Sequence, residues 1–109
     1  MNKFAKLISD TGNSTLTRRA SNIAQTAEIA QQNMLNSMKQ KKAELELKLD
    51  SLTDLAPDTT DSLRPGSKDW DAPKWALEIQ NIKQDLYFLN IQIKIAAETY
   101  NEYFTEQAD

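Results

Sequence analysis

From Trp75 onward, apolar residues recur at alternating steps of four and three: Trp75, Ile79, Ile82, Leu86, Leu89, Ile93, Ala96, Tyr100 and Tyr103. An unbroken seam of this length predicts a long helix laid against a partner helix. The stretch LNIQIKIAA, residues 89–97, also alternates apolar and polar residues with period two, as a half-buried strand would. A strand needs a partner ladder, and the other alternating run, AELELKL at 43–49, is built from strong helix formers. The helix reading is preferred for both runs.

That choice gives the second helix two apolar sides. At about 100° per residue, Leu77, Phe88, Ile91 and Ile95 fall nearly opposite the main seam, and Leu47 does the same on the first helix. One helix cannot bury two opposed faces against a single partner. Scattered exposed apolar residues are normal, but Phe88, Ile91 and Ile95 are contiguous at helical spacing. The expectation is that another chain, or the N-terminal arm folded back, covers this second stripe.

Upstream, residues 1–12 carry Phe4, Leu7 and Ile8 at helical spacing before Gly12 and read as a short amphipathic arm. Asn13, Ser14 and Thr15 are N-cap candidates for a first long helix over residues 13–56, which no Gly or Pro interrupts. At roughly 60 Å such a helix is too long for a compact globule of this size. Its expected stripe is Leu16, Ala20, Ile23, Ala27, Ala30, Met34, Met38, Leu45, Leu49, Leu52 and Ala56, with a slip after Met34. Residues 20–38 contain one charge, Glu28. This Ala-, Gln- and Asn-rich composition, with Ala20, Ala24 and Ala27 on it, suits close contact on more than one side, or simply good helix formers at exposed sites.

Residues 57–73, PDTTDSLRPGSKDWDAP, hold all three prolines and one of the two glycines, and read as a connecting loop, either functional or mobile. Asp71 and Pro73 suit a helix start, and the second long helix with a short tail takes up residues 74–109. The predicted fold is all-α: an antiparallel, coiled-coil-like two-helix hairpin with a short amphipathic arm.

Composition narrows the chemistry. The 109 residues include no cysteine and no histidine. Disulfides, zinc–thiolate sites and both the Ser-His and Cys-His nucleophile pairs are thereby removed. The net charge of −3 argues against nucleic acid as a partner. Its distribution is uneven: residues 1–49 carry eight basic and four acidic side chains (+4), and residues 50–109 carry five and twelve (−7). The halves attract each other, or copies of each other. The broken apolar pattern of MNKFAKLISDTGNST predicts no cleavable signal peptide, and no later run predicts a membrane span. A soluble chain is expected, cytoplasmic or part of an exported or virion assembly.

Candidate sites are few. Glu98 and Glu102 lie four apart, and Glu44 and Glu46 sit in the first helix. Without a Glu-x-x-His element they read as solvated acidic faces rather than metal ligands, so neither cofactor nor metal is expected. Arg18, Arg19, Ala20 and Ser21 spell a phosphorylation pattern, and Asn13, Ser14 and Thr15 a glycosylation acceptor, both short enough to arise by chance. Trp70 and Trp75 flank the helix start, where aromatics commonly pin a loop and less commonly meet a ligand. Tyr100, Tyr103 and Phe104 suit either an interface or the hairpin's open end.

The Pro- and Asp-rich turn, the second helix opening DAPKWALEIQ, the aromatic C-terminal end and the Ser-, Thr- and Asn-rich beginning together resemble needle or inner-rod subunits of bacterial type III secretion machines. The likeness covers the turn and second helix. It implies helical assembly through both faces of a hairpin. The expected function is a non-enzymatic structural subunit of a virion or secretion apparatus that self-associates, or packs in a larger complex against a partner helix, through its second apolar helix face. The expected interface is Phe88, Ile91, Ile95 and Leu77, with Ala20, Ala24, Ala27, Tyr100, Tyr103 and Trp70. The alternative is a small chaperone or adaptor that binds a helical segment of a partner protein.

Overall fold

A computed structural model describes residues 3–9 and 14–105, without the side chains of 5, 8, 9 and 14–21. Gly12, Asn13 and Asp10 therefore lie outside the described residues. Three helices follow one another: α1 (Lys3–Ser9), α2 (Ser14–Thr53) and α3 (Ala72–Phe104). Among the described residues there is no strand, so both alternating runs are helical. α2 packs against α3 as an antiparallel hairpin, pairing Leu52 with Trp75 and Glu28 with Tyr100. The chain divides into two compact units, Met38–Ile91 and Met1–Ser37 with Gln92–Asp109.

Met38–Ile91 is the turn-bearing unit. From α3 it buries Ile82 and Leu89, with Trp75, Ile79 and Leu86 half-buried, as the four-and-three spacing predicts. Opposite them stand Met38, Lys42, Leu45, Leu49, Leu52 and Ala56, all buried or half-buried. Lys48 and Glu78 pair across the helices at 2.9 Å. The indole N–H of Trp75 donates to the Leu52 carbonyl at 2.6 Å, capping an oxygen in the last turn of α2 that has no partner within the helix. The ring of Trp70 meets that of Trp75 edge-on, centroids 5.4 Å apart. These aromatics fasten the turn to the hairpin.

α2 ends at Thr53, short of the expected 56, because the backbone of Ala56 is used elsewhere. Its N–H donates to the Pro65 carbonyl at 2.8 Å. Two further rungs join residues nine apart, Lys68 N–H to Thr59 at 3.0 Å and Asp71 N–H to Ser62 at 2.9 Å. The loop thus coils on itself and satisfies its own backbone. Asp61 organises its centre: a carboxylate oxygen accepts the Leu63 N–H at 2.9 Å, and its carbonyl accepts the hydroxyl of buried Ser67. Asp71 then caps α3, accepting the Lys74 N–H at 3.1 Å. The tight passage needs Gly66, whose φ is +85°. A Cβ there would meet Ala56 N and Leu55 Cδ2 at an ordinary 3.6 Å, so the constraint is the backbone conformation and not space. Gly66→Ala is expected to cost about 1–2 kcal/mol, read as a lower urea midpoint at unchanged slope.

The other unit brings α1 against the open end of the hairpin. Among the described residues Ala24, Ala96 and Phe104 are its buried apolar ones, with Ile23, Ala27, Leu35, Ile93 and Tyr103 half-buried. The α2 stripe differs here from expectation. Ala30 and Met34 are exposed, and the inward positions are Ala24, Glu28, Gln31 and Leu35. Numbered on through Met38 and Lys42, this spacing keeps alternating four and three, so the slip disappears once polar residues are admitted to the seam. Glu28 is accommodated because the Tyr100 hydroxyl donates to it at 2.8 Å.

Candidate functional site

Among the described residues no group of three or more Asp and Glu is placed to hold a metal ion. The features left to consider are apolar surfaces. On the turn-bearing unit, α3 leaves Leu77 58%, Phe88 54% and Ile91 41% exposed. Tyr87 stands beside them, with its ring edge-on to that of Phe88 at 5.5 Å. Sequence reasoning did not single out Tyr87, although its place four residues before Ile91, about 40° away on the helical wheel, marks it as a margin of the same face. The turn itself exposes Leu55 and Trp70. Trp70 meets the ring of Trp75 and keeps 40% of its surface exposed.

On the other unit α3 exposes Ile95 to 58%. The arm does not cover it. α1 binds instead at the end of the hairpin, where the ring of Phe4 lies 5.3 Å from that of Phe104. Lys3 pairs with Glu102 at 2.7 Å and stands 5.2 Å from the centroid of Tyr103. An open-sided cavity of about 290 Å³ forms there, lined by Phe4, Leu7, Gln31, Thr99, Tyr103 and Phe104. Leu7 points its apolar surface partly to solvent.

The remaining interface candidates separate by burial. Ala24 is buried within its own unit and Ala27 is half-buried, so little of either is open to an outside chain. The side chain of Ala20 lies outside the described ones, as does that of Ser21. Tyr100 and Tyr103 are half-buried and have partners inside the unit, Glu28 and Lys3. The exposed candidates that remain are Leu77, Phe88, Ile91, Ile95 and Trp70.

Two proton affinities at the open end are perturbed, both upward. The hydrogen bond to Glu28, then burial and the carboxylate's charge, raises the Tyr100 phenol above its ordinary 10.0. The hydrogen bond and charge of Glu102 raise Lys3 above 10.5. A raised folded-state value means that the stability each proton carries is fully present below the ordinary value and is lost as pH rises through the raised one. The open end is therefore expected to loosen above pH 10. An absorbance titration should lose a phenol step above pH 10 in Tyr100→Phe, and Lys3→Ala should weaken arm protection in hydrogen exchange at neutral pH.

No described helix is long and apolar enough to cross a membrane. No protein-family model matches the chain, and neither a curated protein nor a solved structure matches it significantly.

Proposed function

We propose that the chain is a non-enzymatic assembly subunit, of the virion or secretion-apparatus kind, that associates through the outer face of α3. The observation that carries this reading is the row Phe88, Ile91 and Ile95, 41–58% exposed on one helix whose opposite side is committed to α2. Contiguous exposed apolar residues at helical spacing, with Tyr87 beside them, are the composition of a contact surface and a liability on an isolated monomer. Absence of histidine and cysteine removes the commonest general base and the Ser-His and Cys-His nucleophile pairs, which weighs against an enzyme.

Sedimentation and light scattering across a concentration series test the reading. The expected result is reversible association that weakens at least tenfold in an Ile91→Asp, Ile95→Asp double variant, with helicity by circular dichroism largely kept. A chain that stays monomeric at every concentration would refute it. The open-sided cavity beside Phe4 and Leu7 favours a second reading, an adaptor that takes a helical segment of a partner protein. An adaptor would stay small alone and gain thermal stability when the partner is added.

A further inference from the structure

Resting on that reading, we infer that the occupant of the outer face of α3 is the same face of a second copy, running antiparallel and closing a two-fold dimer. α3 is one helix, so its spacing fixes which residues share a face. Continuing the steps of four and three outward from Phe88, Ile91 and Ile95 gives Leu77, Asn81, Gln84, Phe88, Ile91, Ile95, Glu98 and Glu102. Every one of these residues except Ile91, Leu77, Phe88 and Ile95 is polar, and all eight are exposed. In heptad letters they alternate d and a. The inner seam, from Trp75 to Tyr103, then occupies only b and f, on the far side of the helix. One seven-residue frame thus serves two seams, and α2 covers the inner one.

The polar ends of this second seam decide the orientation. Two parallel, in-register copies would set Glu98 against Glu98 and Glu102 against Glu102, two like-charge layers at the centre of an interface. Reversing one copy places a against d. Phe88 of each copy then meets the other copy's Ile91, and Gln84 meets Ile95. Asn81 meets Glu98, so an amide that can donate a hydrogen bond faces the carboxylate. Leu77 meets Glu102, whose carboxylate Lys3 of its own chain already holds. At the flank, Tyr87 of each copy comes beside Lys94 of the other, a cation beside an aromatic ring. No charged residue of the seam meets its like. Because the arrangement is self-complementary it closes at two copies, and any larger assembly must grow through other surfaces.

The 109 residues include no cysteine, so introduced ones report alone. Tyr87→Cys and Lys94→Cys chains, both altered at exposed positions, are mixed and mildly oxidised. The expected product is the mixed disulfide, at least fivefold over either self-linked product. Gln84→Cys alone should link poorly, and scattering should give twice the chain mass with no larger species. Efficient self-linking of Gln84→Cys would overturn the antiparallel register, as would a mass beyond the dimer that the Ile91→Asp, Ile95→Asp pair dissolves. Both of those results leave the proposed function standing. A chain that is monomeric at every concentration overturns both.

Discussion

Ile82→Ala is expected to lower the stability of the folded chain by about 3 kcal/mol and its Tm by roughly 10–20 °C. Ile82 is 3% exposed, the most deeply buried apolar residue among the described ones. It sits mid-seam in a unit that also buries Leu52, Ala56, Pro65 and Leu89. Two packed helices have few layers through which a cavity could collapse, so removing three carbons leaves most of the void open. Domains of this size have only about 5–15 kcal/mol in total, which makes the loss a large fraction. Ile91→Ala removes the same atoms from a site 41% exposed and should cost less than about 1 kcal/mol in dilute solution. Urea titration of both variants checks the contrast. Repeating it at rising chain concentration should narrow the gap under the proposed association, which would add stability that Ile91 helps supply.

Trp75 carries the second large effect. Trp75→Phe keeps most of the ring but leaves the Leu52 carbonyl without its indole donor, an expected loss of about 1 kcal/mol. Trp75→Ala also removes the half-buried ring against which Trp70 rests, and should cost about 3 kcal/mol. The step between the two variants separates bond from packing. In Trp75→Ala the edge-on contact of Trp70 is gone, and its fluorescence should shift to the red as the ring becomes more exposed. An unshifted Trp70 signal would mean that the loop holds that ring without help from α3.

Such effects follow from features of unequal legibility in the sequence. The α3 seam could be read directly because every position from Trp75 to Tyr103 on it is apolar or aromatic, and a helix buries whatever recurs at its own period. The α2 seam could not, because Glu28, Gln31 and Lys42 occupy inward positions. An apolar-only search diverts to Ala30 and Met34 there and finds a slip. Glu28 becomes acceptable only through Tyr100, seventy-two residues away, and no local pattern encodes that bond. The exposure of the outer face follows from helical spacing alone once one seam is assigned to the hairpin. Tyr87 escaped notice because it lies at the margin of that face.

Sequence by itself determined the class of fold: long uninterrupted segments of helix formers, a loop where the prolines gather, and an Asp71 cap before Pro73. It also determined the existence of a surplus apolar face, since three isoleucines at period two cannot share one side of a helix. Tertiary structure alone decided the rest. The three long rungs of the loop join backbone groups common to all residues across nine positions, so side-chain identity marks only its local turns, at Asp61, Gly66 and Ser67, and not the closure itself. The arm docks on Phe104 and Tyr103 instead of on Ile95 because the helix end offers rings and a carboxylate that match Phe4 and Lys3. A pattern of period 3.6 specifies which residues face inward together; where separate segments meet depends on contacts that no single segment contains.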